Sequence, residues 1–322
     1  MNKPNKLFYI IGFILLVLLF LMSTTDLFFQ ERDVPVYAIS VIVDDTTDDF
    51  WLNYKKGMDQ AAGEFNVDIS FVTLYDNSNE QNFQQTELIR REIEDGAQAL
   101  VIAAADSQKL AESLNEMVLD VPVIAIQTSL PYQELDSSVL PDDSEMGQML
   151  ADEISECQSR DEHVYILALQ LTQDGLKERC HQLERALTEA GFQVSLLTGE
   201  EPGIIETLVQ QVTERQEKCV MVGLDAGSLL DTASCVEAYY GNYLVSVYGF
   251  GYNAQILSMV ESEKINGTVI SDDYVMGYQS IEKAVACLNM PGVPASGRLN
   301  TYLVTKDLMY EDELSRILFP IS

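Results

Sequence analysis

The residues with the sharpest chemistry in this chain of 322 residues are five cysteines and two histidines. Cys157, Cys180, Cys219, Cys235 and Cys287 all fall in the second half. An odd number cannot all pair internally, and the spacing is far from a dense disulfide framework. Buried thiols are expected, with one disulfide left open. Cys180-His181 and Cys157…His163 give no pair of pairs at zinc spacing, so no metal is expected. Asp76-Asn77-Ser78-Asn79-Glu80 has calcium-like composition but lacks the loop glycine and the distal bidentate glutamate, and it reads as a solvated loop. There is no Gly-x-Ser-x-Gly elbow, no phosphate-binding Gly-Lys loop and no His-Glu-x-x-His. Gly249-Phe250-Gly251 lacks the third glycine of a dinucleotide fingerprint. The expectation is a protein that is not an enzyme and uses no cofactor.

Carboxylates dominate the remaining chemistry. With 51 Asp and Glu against 19 Lys and Arg, the formal net charge is −32. A nucleic-acid partner is excluded, because phosphate binding needs a Lys/Arg surface. Docking on anionic headgroups is disfavoured for the same reason. Such a charge is expected to keep the surface solvated; the functional alternative is an acidic face that helps select a basic partner or excludes anionic ligands.

Residues 1–6 carry Lys3 and Lys6, and Leu7 to Thr25 follow without a charge. At about 1.5 Å per residue such a run approaches the ~30 Å hydrocarbon core of a bilayer. The flanking lysines favour a cytoplasmic N-terminus, with the remaining chain on the extracytoplasmic side. A cleaved signal peptide has a shorter apolar region and a small-x-small site. The first cysteine is Cys157, so no lipid-bearing cysteine follows the run. An uncleaved signal-anchor over 7–25 with a linker over 26–35 is expected, placing the protein in the cell membrane as a single-pass chain.

After residue 35, short apolar runs alternate with amphipathic stretches. Tyr37–Val43, Asp68–Tyr75, Ala99–Ala103 and Pro122–Ile126 read as strands, and Phe50–Phe65, Asn82–Asp95 and Lys109–Met117 as helices. The rhythm then repeats. Helices are expected over Ser144–Cys157, Lys177–Glu189, Ile204–Gln216, Leu229–Ala238, Ala254–Glu263 and Tyr274–Asn289. Strands are expected over Val164–Leu169, Gln193–Leu197, Val220–Leu224, Tyr243–Gly249, Gly267–Ile270 and Thr301–Val304. This is an α/β pattern of parallel sheets covered on both faces. About ten alternations are too many for one sheet, so two Rossmann-like lobes are expected: 36–140 with 271–300, and 141–270 with 301–322. Leu140-Pro141 and Ile270-Ser271 are the hinge candidates. Ligands of such sheets bind at the C-terminal strand ends.

Several segments carry a family resemblance. Ile39 to Gly57 (ISVIVDDTTDDFWLNYKKG) resembles the opening strand, polar turn and aromatic-led helix of type I periplasmic binding proteins, the ribose-binding-like group. Asp95–Ile102, Val121–Ile124, Tyr248-Gly249-Phe250 and Leu303–Asp307 resemble later stretches of that family, in the same order. The likeness covers about residues 36 to 310. It implies two lobes joined by a three-strand hinge and closing over a solute, usually a sugar. Repressor relatives carry an N-terminal DNA-binding unit where this chain has its apolar run.

By position, the resemblance implies a ligand site at Asp48, Phe50, Trp51, Gln127, Thr128, Lys177, Asp225, Gly251, Asn253 and Ser271. Trp51, the only tryptophan, is expected on a cleft wall, with core packing as the alternative. Gln127-Thr128 stand where the family often has Asp-Arg, and Gly251 replaces an aspartate. Lys177 falls near the family's arginine, and Leu224 replaces an asparagine before Asp225. The charged clamp for a monosaccharide is thus largely absent, so the identity of the ligand is not inherited. A sugar-like solute is expected, delivered to an ABC permease. The alternatives are a sensory subunit that signals to a membrane partner such as a histidine kinase, and a ligand-free interaction domain.

Overall fold

A computed structural model of the chain describes residues 3–24, 35–44, 49–74, 81–169, 171–199, 203–239, 244–290 and 297–319. Helix α1 (Lys3–Thr24) belongs to a unit of its own, Met1–Val36. Its side chains are described at Lys6, Phe8–Leu18 and Phe20, and all of these are exposed. Among the described residues no helix is long and apolar enough to cross a membrane.

The second unit, Tyr37–Ser322, holds two sheets. The chain first builds β1 (Tyr37–Val43), α2 (Asp49–Phe65), β2 (Val67–Thr73), α3 (Gln81–Glu94), β3 (Ala99–Ile102), α4 (Ser107–Asn115), β4 (Val123–Ile126) and β5 (Ser137–Leu140). It crosses to the second lobe for α5 (Asp143–Cys157), β6 (His163–Ala168), α6 (Asp174–Glu189), β7 (Gln193–Thr198), α7 (Ile204–Arg215) and β8 (Cys219–Gly223). There α8 (Ala226–Ala238), β9 (Val245–Phe250), α9 (Ala254–Glu261) and β10 (Gly267–Ser271) follow. It returns to the first lobe for α10 (Asp273–Asn289) and β11 (Gly297–Arg298), then crosses once more for β12 (Thr301–Val304) and α11 (Asp312–Leu318). The strand orders are β11-β5-β4-β3-β1-β2 and β12-β10-β9-β8-β6-β7.

The central strands are largely apolar because both faces are covered, and the buried Ser40 hydroxyl of β1 donates to Glu92 Oε2 at 2.9 Å. In β1, Ile39, Val41 and Val43 join the core that holds α2 and α10, while Ile42 joins the core beneath α3 and α4. Alternation of side chains across a strand places those two cores on opposite faces. The second sheet is covered in the same way, with α8 and α9 on one face and α5 and α6 on the other.

Three departures from the expected elements have local causes. β5, β11 and α11 are additional, and each is short: Ser137–Leu140 is half polar, and β11 is two residues long. β12 runs antiparallel to β10, so the second sheet is mixed at its edge. Helices α6 and α8 begin three residues earlier than expected. For α8 the cause is a capping box: Asp225 Oδ1 accepts from the Ser228 amide at 2.7 Å, and Ser228 Oγ accepts from the Asp225 amide at 3.2 Å.

Helices α2 and α10 cross at a pair of glycines. A Cβ at Gly57 would run into the carbonyl of Tyr274, and one at Gly277 into the carbonyl of Tyr54. The backbones meet there because neither residue has a side chain. Tyr54 and Ser280 hydroxyls, 2.8 Å apart, add a buried hydrogen bond beside the crossing. This contact holds the two helices together in one core of the first lobe.

Candidate functional site

A cleft of about 140 Å3 lies where strand ends and helix starts of the two lobes meet. Each lobe supplies its residues from loops after strands. Gln127 and Thr128 follow β4, Asp225 and Ala226 follow β8, Gly251 and Tyr252 follow β9, and Asp273 follows β10. Trp51 comes from the first turn of α2, Asp143 and Met146 from α5, and Leu176 and Arg179 from α6.

Arg179 is the cleft's principal cation. Its Nε and Nη2 both donate to Asp143 Oδ1, at 3.0 and 2.6 Å, and its Nη1 donates to the Leu224 carbonyl at 3.1 Å. The guanidinium also lies 4.9 Å from the centroid of the Phe250 ring. Burial pushes the Asp143 carboxyl above the usual carboxylate range, and the Arg179 guanidinium opposes that shift.

Asp273 is 2% exposed, and its Oδ2 has no hydrogen-bond partner. Its Oδ1 lies 3.3 Å from Ser271 Oγ, which donates to it. Burial holds this carboxyl well above its ordinary range, and the neighbouring Asp272 adds to the shift. The Tyr252 hydroxyl beside it accepts from Asn53 Nδ2 at 2.7 Å and is itself pushed up by burial.

Gln127 adopts φ +64°, the left-handed region, and the Thr128 amide donates back to the Ile126 carbonyl at 2.7 Å. That tight turn is strained for a residue with a side chain. Gln127 Oε1 is buried without a partner. Strain and an unused acceptor in one residue are commonest where a ligand is held. Gly251 at φ +86° serves the opposite purpose: its missing Cβ lets the loop approach Ala226, 3.0 Å from where that atom would stand.

Of the ten residues expected at the site, Trp51, Gln127, Thr128, Asp225, Gly251 and Ser271 line the cleft. Trp51 does so while also packing edge-on against Tyr54 and Phe71, with centroids 5.3 and 6.1 Å away, so cleft wall and core are one residue. Asp48 lies outside the described residues, as do the side chain of Phe50 and the segment 75–80. Lys177 and Asn253 are not brought to the cleft. Lys177 is turned aside because α6 starts at Asp174, whose Oδ1 its Nζ reaches at 2.8 Å. Asn253 caps α9, accepting from the Ile256 amide at 2.8 Å.

The residues that the resemblance did not supply are Asp143, Arg179, Tyr252 and Asp273. Their signal is nonetheless present in the sequence. Arg179 is partly buried and lies in helical phase with Gly175 and Leu183 of the buried stripe of α6. Asp143 heads that of α5 with Met146 and Leu150, and Asp273 that of α10 with Met276 and Ser280. A charge in register with an apolar stripe is buried, and buried charges need partners.

The lobes also bond directly to one another. The Ser107 amide donates to the Thr172 carbonyl at 3.2 Å, and Thr172 Oγ1 donates to the Ala105 carbonyl at 2.8 Å. Asp174 and Gly175 amides donate to Ser107 Oγ and Thr128 Oγ1, at 3.0 and 2.9 Å. Gln108 Nε2 reaches Asp174 Oδ2 at 2.6 Å, and Gln173 Nε2 reaches Asp44 Oδ2 at 2.9 Å. These bonds tie the two lobes together directly beside the cleft.

Two lobes of largely parallel sheet, three chain crossings and a polar cleft between the lobes are the architecture of a two-lobed binding protein. The chain belongs to the periplasmic binding protein domain family, whose profile matches residues 39–291. No curated protein matches it. It is similar to an ABC transporter solute-binding protein from Agrobacterium vitis bound with alpha-D-tagatopyranose (TM-score 0.79, 18% identity, 88% of this chain and 100% of that one). A carbohydrate transporter solute-binding protein from Agrobacterium radiobacter, in complex with D-arabinose, gives a TM-score of 0.78 at 18% identity over 88% and 99%. A glucose-galactose binding protein from Geobacillus stearothermophilus gives 0.74 at 17% over 85% and 98%. At these identities the likeness is one of fold. The family is one of binding proteins, not of enzymes.

Proposed function

We propose that this chain is a membrane-anchored, extracytoplasmic solute-binding protein that holds a sugar or sugar-like molecule between its lobes and delivers it to an ABC transporter. The cleft carries the reading. It joins aromatic surface at Trp51, Tyr252 and Phe250 to buried acceptors without donors at Gln127 Oε1 and Asp273 Oδ2. A polyol answers both, with C–H faces for the rings and hydroxyls for the acceptors. At about 10–15 Å3 for each water-sized position, the 140 Å3 of the cleft is in the size class of a monosaccharide. The sugars held by the similar structures support the same ligand class. Anchoring rests on the uncharged run Leu7–Thr25 behind Lys3 and Lys6.

That same run favours a second reading, a sensory subunit that signals to a membrane partner such as a histidine kinase, because a tethered receptor pairs laterally with other membrane proteins. Thermal unfolding of residues 34–322 against neutral pentoses, hexoses, polyols and nucleosides, and against the amino forms of the hexoses, tests the common core of both. A ligand at about 100 times its dissociation constant adds about 2.7 kcal/mol to the native state. A shift with one ligand class, lost in Trp51→Ala, supports the reading. No shift across the panel counts against it and leaves the fold as a partner-binding domain.

A further inference from the structure

The cleft's charges do not balance. Asp143, Asp225 and Asp273 line it against Arg179, and Arg179 already donates to Asp143 through two of its nitrogens. Lys177, the second cation expected there, is held by Asp174 outside the lining. Asp273 Oδ2 is buried with no donor, and so is Gln127 Oε1. A solute that closes this cleft must therefore bring donors. Asp225 is exposed and caps α8, so Asp273 is the carboxyl that a neutral polyol would leave buried without a cationic partner, and a buried charge without a partner is costly.

We infer that the solute is a polyhydroxylated cation, an amino sugar, whose ammonium group lies against Asp273 and Asp225 while its hydroxyls serve Gln127 and the Arg179–Asp143 pair. This deepens the reading of the cleft as a sugar-like site and rests on it. The raised affinity of Asp273 for protons accords with it: without a cation that carboxyl is pushed toward its neutral form by burial and by Asp272. An ammonium ion beside it reverses the balance and expels the proton. The net charge of −32 acts in the same sense at longer range, concentrating cations at the cleft mouth and repelling anions.

The test uses the full-length protein in detergent. D-Glucosamine, D-galactosamine and D-mannosamine are titrated at pH 6.5 beside the parent hexoses, at low and high salt. The expected result is an amine that binds about tenfold or more tightly than its parent, corresponding to about 1.4 kcal/mol. Binding should release a proton, read as a dependence of the heat on buffer ionisation enthalpy. The amine-to-parent ratio should fall toward one in Asp273→Asn, and fall in Asp225→Asn, which guards against a folding defect in the first variant. A parent hexose that binds as tightly as its amine overturns this inference and leaves the sugar reading standing. Binding of neither set overturns both.

Discussion

Asp273 heads the buried stripe of α10, with Met276, Gly277, Ser280 and Ile281 behind it. Its carboxyl faces Asp272 beside it on the lobe crossing and Tyr252 from the loop after β9, and shares the cleft with Asp143, Arg179 and Asp225. Burial raises its proton affinity in the folded state above the unfolded value near 3.9. The native state then binds more protons than the unfolded state over the window above about pH 4, so stability falls as pH rises through it. Asp143 and Asp272 shift the same way. The ligand-free body should melt higher near pH 5 than near pH 8, and Asp273→Asn should flatten that slope and raise the midpoint at pH 8 by about 2 °C or more. A melting curve across pH reads both. Arg179→Ala leaves Asp143 buried without its partner and should cost about 3–5 kcal/mol in urea unfolding. Arg179→Met combined with Asp143→Leu should recover most of that loss while binding stays abolished. Both residues were open to discovery from sequence as charges in phase with apolar stripes. The family resemblance hid Arg179 by pointing two positions earlier, to Lys177. Two residues on a helix are about 200° apart, enough to exchange a buried face for a solvated one.

At the scale of elements, long periodic runs were legible and short ones were not. Ala99–Ile102 and Val123–Ile126 announce buried parallel strands by their apolar content. Ser137–Leu140 does not, because half of it is polar, and its pairing with β4 is decided by tertiary contact. Helix starts were displaced where a cap set the first turn, as at Asp225. The glycine crossing of α2 and α10 could not be read at all, since Gly57 and Gly277 look like ordinary helix-weakening residues until their helices are brought together. That crossing has a mechanical reading. Gly57→Ala and Gly277→Ala each place a methyl group against a partner carbonyl, so the helices must separate. Each substitution should destabilise by about 1–3 kcal/mol through overpacking, checked by denaturant unfolding. Because Trp51 and Asp273 sit on the crossing helices, both variants should also weaken solute binding more than a surface Gly63→Ala control.

For the whole molecule, the two-lobed division follows from the number of β/α repeats, and the cleft follows from where their strands end. What the chain pattern did not reveal is that the lobes bond to one another. Among the described residues seven hydrogen bonds join them, from Asn53–Tyr252 to Ser107–Thr172, and each runs between protein groups. This feature bears on time as well as affinity. A trapped solute leaves only after these bonds break, so its dwell time is set largely by protein–protein contacts and should be similar for any molecule that fits. Removing one neutral bond costs about 0.5–1.5 kcal/mol, so Thr172→Val should raise the dissociation rate about two- to tenfold in stopped-flow traces. The same factor should apply to every bound solute, because the residue being changed touches the opposite lobe and not the cargo. Capture then belongs to the open cleft and its charge, and release belongs to the latch.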